Sequence, residues 1–384
     1  MARSADNRGD RDAAAKGVSR LSRLLTRERD RMPAAYLRDA ELRAAYRAYF
    51  LPVNLAKVRL PLSELAFHPS RPLQRGRLRV LDVGAGPGTA LLGVLAFFLG
   101  RKPAPVLEFT AADQVAANLR IAETLFGELR DRSGAAATLR TVSCRVEDLQ
   151  AHVDGAFDLI IVANVLNELF PDAASRISRR IELLDGMVRR LLAPNGSCVI
   201  IEPALRETGR DLLGVRDGLL DAGWHVYAPC LMQERCPCLA NPKDWCHEDR
   251  PWEPPEIVRE IDARTGLRKD SLKFSYCILR EDDASLADVH GADAFRVVSE
   301  PLVSKGKIDL YLCGKGGRRL ATRLDREASA ANAGFAQLLR GDVVRFGGLA
   351  AGEHRCRVTK ETAVIICRRP DSVTCGTHEP KNGS

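Results

Sequence analysis

The sequence predicts an α/β protein, with a parallel, doubly wound sheet behind a helical preface and a small β-rich domain after it. Three observations carry this. Strands and helices alternate strictly from Leu78 to Ile201, a glycine turn follows the first strand, and short alternating strands take over beyond Phe295. A chain of 384 residues is too long for one average domain. The expected divisions are 1–75 for a polar tail and the preface, 76–285 for the sheet with a cysteine-rich insertion at 229–256, and 286–384 for the β-rich domain.

The totals narrow the function classes. Hydrophobic residues at 45% and charged residues at 28% describe an ordinary globular chain. No apolar run reaches the roughly 18 residues of a membrane span. Met1 to Arg31 is polar and Arg-rich, has no apolar signal core, and contains Asp6, Asp10 and Asp12, so a cytoplasmic protein is expected. Eleven cysteines, spread from Cys144 to Cys375, do not form a disulfide framework. The net charge of +8 gathers at the ends: twelve basic against seven acidic residues before Leu51, and sixteen against ten from Gly291 onward. Such flanks suit a polyanion such as RNA, and equally a solvated Arg-rich surface.

Residues 1–30 read as disordered or loosely helical. From Ala34 to Phe67 the apolar spacing is helical, through Tyr36, Leu37, Leu42, Tyr46, Leu55, Val58, Leu62 and Leu65, with Pro52 and Pro61 expected to divide it. Leu78–Val83 is a buried strand, then Gly-Ala-Gly-Pro-Gly at Gly84–Gly88, then a helix over Thr89–Leu99. A second strand, Val106–Ala112, ends at Asp113. A third, Leu139–Cys144, precedes Glu147 and Asp148. The fourth, Phe157–Ala163, is almost wholly apolar, as a strand covered on both faces should be. Helix Ala174–Leu192 leads to the fifth strand, Ser197–Ile201, and helix Arg206–Ala222 to the sixth, Trp224–Ala228. A short helix over Pro254–Thr265 and a seventh strand, Ser271–Leu279, complete the unit. The β-rich domain follows with strands near Phe295, Lys307, Leu320, Asp342, Arg355 and Ala363, and one helix over Ala328–Leu339.

A glycine turn between a buried strand and a helix lets a ligand approach the backbone closely and turns helix N–H groups toward it. Gly84, Gly86 and Gly88, with Asp82 just before them, form the candidate binding turn. Asp113 stands where a ribose diol is hydrogen-bonded, although it also suits a helix N-cap. Asp148 is placed to reach an adenine amino group, or is a solvated loop acid. Asn164, after the fourth strand, belongs beside the reacting end of the ligand. This order resembles the class I S-adenosylmethionine-dependent methyltransferases with their Rossmann-like, seven-strand sheet, and the resemblance implies that cofactor. A dehydrogenase fits less well, because the sixth and seventh strands would form an antiparallel pair.

The segment after the fourth strand, Ala163–Leu169, has neither the Asn/Asp-Pro-Pro-aromatic signature of enzymes that methylate base amines nor a cysteine nucleophile. Glu168 is either a base or a helix-start acid. No catalytic residue is assigned.

Pro229–His247 packs Cys230, Cys236, Cys238 and Cys246 into a Pro-rich stretch that cannot make a core of its own. Following the sixth strand, it should emerge on the same rim as the ligand turn. Its spacing is not the paired C-x2-C of a zinc ribbon. Cys313, before a glycine turn, is a candidate fourth ligand. Ala228–Cys230, Cys236-Pro237, Asp244–His247 and Lys273–Tyr276, with the preface from Tyr36 to Pro52, resemble one family. It is the methyltransferase-like assembly factors of the small ribosomal subunit, the mitochondrial protein and its bacterial relatives (the "Rsm twenty-two" group).

That resemblance implies a four-iron, four-sulfur (4Fe–4S) cluster on Cys230, Cys236, Cys246 and Cys313, and binding to small-subunit rRNA. Zinc is the alternative metal, since four thiolates suit either. Cys238 and Cys277 are possible substitutes, and Cys277 equally reads as a small buried hydrophobe. Two functions stay open, an rRNA methyltransferase and a non-catalytic assembly factor with the same fold. A third is a small-molecule methyltransferase with a zinc-stapled lid. For RNA contacts the candidates are Lys305, Lys307, Lys315, Arg318, Arg319 and Arg323.

Overall fold

The computed structural model describes residues 2–28, 31, 36–171, 174–352, 354–369 and 373–374; Ala34 and Cys375 lie outside them. The preface is more regular than its sequence suggests. Helix α1 (Ala2–Thr26) replaces the expected loose tail. Val18 and Leu21 are fully buried, because their spacing makes a stripe that packs on α2 (Ala40–Ala45). Asp39 caps α2, its Oδ1 accepting the N–H groups of Glu41 at 2.9 Å and Leu42 at 3.2 Å. A π-turn, Tyr46–Phe50, runs directly into α3 (Leu51–Leu65). Neither proline divides this run. Pro52 follows the π-turn in the first turn of α3, and Pro61 is buried mid-helix between Leu60 and Leu62, so packing outweighs the lost bond.

The sheet unit follows in order: β1 (Arg77–Val83), α4 (Thr89–Phe98), β2 (Val106–Asp113), α5 (Ala116–Ser133), β3 (Ala137–Ser143), α6 (Leu149–His152), β4 (Phe157–Ala163), α7 (Arg176–Leu191), β5 (Leu192–Pro203), α8 (Arg206–Asp221), β6 (His225–Ala228), β7 (Glu248–Glu253), α9 (Glu256–Thr265) and β8 (Ser271–Arg280). The strands lie in the order β3-β2-β1-β4-β5-β8, with the first five parallel. β8 runs antiparallel to β5. Its far half pairs with β6 through Val226 and Leu279, and its near half pairs with β7 through Glu248 and Phe274. This is the class I methyltransferase sheet. Apolar strands such as β4, with Leu159, Ile160 and Ile161 all fully buried, lie between a helix layer on each face. The β7 strand was not foreseen. It returns the cysteine-rich insertion to the sheet as an added strand.

The second sheet is built from β9 (Phe295–Val297), β10 (Leu302–Ser304), β11 (Lys307–Gly314), β12 (Gly317–Leu324), β13 (Val343–Gly347), β14 (Ala350–Ala351), β15 (Arg355–Val358) and β16 (Ala363–Arg368), after the short helix α10 (Leu286–His290). A last short strand, β17 (Val373–Thr374), joins β7 of the first sheet. The helix expected over Ala328–Leu339 is instead a single 3-10 turn, Ala333–Gln337. Asn332 explains this. Its buried amide donates to the carbonyls of Glu327 and Thr359, both at 2.8 Å, and its oxygen accepts the Ser329 N–H at 3.1 Å, so the backbone is held out of a helix.

The two sheets meet over buried charge. Arg296 of β9 donates to Glu248 of β7 at 2.9 Å and to the Tyr276 hydroxyl of β8 at 3.2 Å, and lies 3.5 Å from Glu64 of α3. Arg368 of β16 reaches the other Glu64 oxygen at 3.4 Å. Burial alone would raise the Glu248 carboxyl, but Arg250 and Arg296 outweigh it and hold it at about 2.

Candidate functional site

Two cavities lie at the carboxyl ends of the sheet strands. The larger, about 490 Å³, is floored by Asp82, Gly84 and Gly86, and walled by Asp113, Asn164 and the preface. The three turn glycines all have positive φ but differ in purpose. A Cβ on Gly88 would come within 2.9 Å of Ala122 on α5, so this glycine serves helix packing. A Cβ on Gly86 would meet nothing within 4 Å; that space is the cavity itself.

Asp113 holds the turn in place. Its Oδ2 accepts the Gly86 N–H and its Oδ1 the Val115 N–H, each at 2.8 Å. It is part of the cavity wall, but the N-cap expected of it falls to Val115, which makes no side-chain cap bond to α5. Burial pushes its carboxyl up, against those two N–H groups. Asp82 lies beneath the turn, fully buried, and accepts the Leu91 N–H at 3.0 Å. Burial pushes it up to about 7, with the Asp113 charge adding to the effect.

Asn164, with φ of 57°, turns the chain away from β4. Glu202 of β5, which sequence reasoning missed, fixes that turn. Its two oxygens accept the N–H groups of Val165, Leu166 and Asn167 at 3.0–3.2 Å. Burial outweighs these bonds and pushes Glu202 up to about 8. Asp148 is not among the cavity residues; it is exposed at the start of α6, and Arg145, Val146 and Glu147 line the cavity in its stead. Also unforeseen, the preface closes the cavity with Tyr36, Tyr46, Asn54 and Lys57, and the Tyr46 hydroxyl lies 2.7 Å from Thr89 Oγ1 beside the turn.

The second cavity, about 60 Å³, gathers the cysteines. Cys230, Cys236 and Cys246 from the insertion line it together with Cys313 of β11, and Cys238 and Cys277 border it. The first four form a mutual set. Burial pushes the Cys246 thiol up, and Cys236, Cys230 and Cys313 push it further. Burial likewise raises Cys313, helped by Cys230 and Cys236, and Cys230 feels Cys236. Cys238 touches only part of the set: it bonds Cys236 and receives Arg318 at 3.7 Å. Cys277 lies behind Cys230, toward Cys198. Among the described residues, no three His, Cys, Asp or Glu side chains close around a single ion.

Arginines order this core-less stretch. Arg210 of α8 donates to the carbonyls of Cys238 at 3.0 Å, Asn241 at 2.8 Å and Asp244 at 2.6 Å. Arg216, also of α8, donates to the carbonyls of Met232 and Glu234, and its neighbour Asp217 accepts the Cys236 N–H. Arg318 of β12 pairs with Asp244. Buried Nε of Arg216 and Nε of Arg296 lack a hydrogen-bond acceptor, while a terminal nitrogen of Arg296 lies 3.5 Å from Glu64.

Residues 40–330 match the family model described as mitochondrial small ribosomal subunit Rsm22. The chain belongs to this family. No curated protein matches it. Among solved structures, the Rsm22-family chain is similar to the plantazolicin methyltransferase BamL in complex with a triazolic desmethylPZN analog and SAH, at 13% identity over 71% of this chain and 98% of that one, TM-score 0.36. It is also similar to a SAM-dependent methyltransferase from Methanosarcina mazei, at 16% identity over 56% and 95%, TM-score 0.33. An rRNA methylase from Streptococcus thermophilus is similar at 11% identity over 57% and 92%, TM-score 0.29. No helix of the described residues is long and apolar enough to cross a membrane.

Proposed function

We propose that this Rsm22-family chain binds S-adenosylmethionine in the larger cavity, holds a 4Fe–4S cluster in the smaller one, and acts on the small ribosomal subunit through its rRNA. The observation that carries the cofactor reading is the turn itself: Gly86 faces open space while Asp113 pins its backbone, leaving room for a ligand against the strand ends. Asp113 would hold the ribose, with the wall at Arg145–Glu147 around the base. When bound, the cofactor supplies a sulfonium methyl group; Glu202 keeps the Asn164 turn fixed beside it.

The cysteine site fits a cluster. Cys230, Cys236, Cys246 and Cys313 line one narrow cavity, and four thiolates suit an iron–sulfur cluster. Four thiolates with a cluster carry negative charge, and Arg216 and Arg296 are among the residues that line the cavity. Cys230, Cys236, Cys246 and Cys313 would hold the cluster, and it would then tie the insertion to the second sheet.

The RNA reading is supported by a groove of about 460 Å³ that adjoins the larger cavity at Leu37. Arg38, Arg43, Arg47 and Arg120 line it; Arg43 donates to the carbonyls of Leu37 and Arg38, and Arg47 lies 3.7 Å from exposed Glu128. The C-terminal cations are mostly engaged within the fold: Lys307 with Asp309, Arg318 with Asp244, Arg323 buried against Asn332, and Arg319 over the Phe295 ring. Lys305 and Lys315 stay exposed. The family description names a mitochondrial protein; for this chain we propose the cytoplasm, and tagging with fractionation tests it.

Label transfer from S-adenosylmethionine to 16S-type rRNA or to immature small subunits separates the two functions. Transfer by cluster-loaded protein establishes the enzyme. Salt-sensitive binding without transfer leaves the assembly factor.

A further inference from the structure

The preface contributes one cation to the cofactor cavity whose local partners do not account for it. Lys57 of α3 lines both that cavity and an adjoining pocket with Arg268, Lys269, Asp270 and Lys273, in which Asp270 pairs with Arg268 at 3.0 Å. Its Nζ donates to Asn54 Oδ1 at 2.9 Å. Among the described residues no carboxylate pairs with it, and the charge that acts on it is the like charge of Lys269. A half-buried ammonium without an anion is disfavoured unless a ligand supplies one. The cavity's other cations are already placed: Arg145 pairs with Glu147, and Arg179 covers the Phe170 ring at 3.8 Å.

Sheet order says which end of a ligand Lys57 would meet. The cavity begins at Arg145–Glu147 after β3, passes Asp113 after β2 and the turn after β1, and ends at Asn164 and Ile201 of β4 and β5. Helix α3 packs on α4 and β8, at the end opposite β3. An adenosyl group held by Asp113 and the 145–147 wall therefore points its amino-acid tail toward α3. Asp82 and Glu168 suit the tail's ammonium; Lys57 suits its carboxylate.

We propose that Lys57 anchors the α-carboxylate of S-adenosylmethionine, so that the preface completes the cofactor site. This rests on the cofactor reading above. It makes ligand charge the discriminating feature, since an analogue without the carboxylate gains nothing from Lys57.

The test is calorimetry on the full chain at pH 8, in two buffers of different ionisation enthalpy. S-adenosylhomocysteine is compared with its decarboxylated analogue, on wild type and Lys57→Met. The variant is expected to bind S-adenosylhomocysteine about tenfold to a hundredfold more weakly, as for a lost charge-assisted bond. The analogue should bind both proteins alike. Burial, and then Lys269, lower Lys57 to about 7, so it is largely neutral at pH 8 until a carboxylate charges it. Wild type should thus take up a proton with S-adenosylhomocysteine alone. Asp82, Asp113, Glu168, Tyr36 and Tyr46 also face the cavity, but they meet the shared part of both ligands and cancel in the comparison. Lys57→Arg should restore the preference for the carboxylate.

Equal losses for both ligands, or an unchanged affinity, overturn the anchor. So does a variant that binds S-adenosylhomocysteine normally but loses RNA, which would give Lys57 to a phosphate. If wild type binds neither ligand, the cofactor reading itself falls.

Discussion

Cys230, two residues past the end of β6, and Cys313, on β11 of the second sheet, face the same narrow cavity, so the ligand set proposed for the cluster draws on both sheets. Replacing Cys313 by Ser should therefore release the cluster and also loosen the second sheet. Iron content and the visible spectrum should fall, and proteolysis between residues 281 and 295 should quicken. Cys277→Ser, behind Cys230, should keep its iron. Equal iron in both variants would remove Cys313 from the ligand set.

Gly86 and Gly88 should separate binding from folding. Gly88→Ala forces a Cβ against Ala122 as well as a strained backbone, a cost of about 1–3 kcal/mol. It should lower the melting temperature. Gly86→Ala meets no atom but projects into the cavity, so it should cost only about 1 kcal/mol of stability while losing most S-adenosylhomocysteine affinity. Thermal melts and calorimetry read the two effects separately.

Asp113→Asn keeps the shape but loses a charge and one of two N–H acceptors at the turn. Affinity for S-adenosylhomocysteine should fall about tenfold or more. Circular dichroism should stay as in wild type. An unchanged affinity would place the ligand elsewhere.

Glu202 gives the fold a pH signature. Burial raises its pKa to about 8, whereas an unfolded glutamate titrates near 4.3. Between those values the folded state keeps a proton that the unfolded state releases, so this group's contribution favours folding at low pH and is lost as pH rises. Glu202→Gln cannot titrate. The stability difference between variant and wild type should move in the variant's favour from about pH 4 to pH 8. Urea melts across that range check the slope; a parallel pair of curves would contradict it.

The RNA surface is expected at the preface. Reversing Arg38, Arg47 and Arg120 to Glu together should weaken small-subunit RNA binding and flatten its salt dependence. Reversing exposed Lys305 and Lys315 should do so less. The opposite ranking would return the contact to the second sheet.

Much of this was legible in the sequence, because the sheet is written in local signals. Apolar strands, the Gly84–Gly88 turn and Asp113 declare themselves within a few residues. Cys313 was a candidate from the glycine turn after it, and the resemblance then joined it to the insertion's cysteines, since nothing near it in sequence points to β6. What stayed hidden depends on distant partners. Glu202 looks like a strand-end acid until three N–H groups converge on it. Pro61 looks like a helix breaker until α3 is packed, and the Ala-rich run after Ala328 looks helical until Asn332 reaches Thr359. Arg210 and Arg216 read as solvated helix residues, yet they hold the cysteine stretch by its carbonyls.

Metal analysis decides what the cysteine cavity holds. Protein purified without oxygen and analysed for iron, acid-labile sulfide and zinc should contain about four irons and four sulfides per chain and no stoichiometric zinc. One zinc per chain without sulfide, or no metal at all, would contradict it.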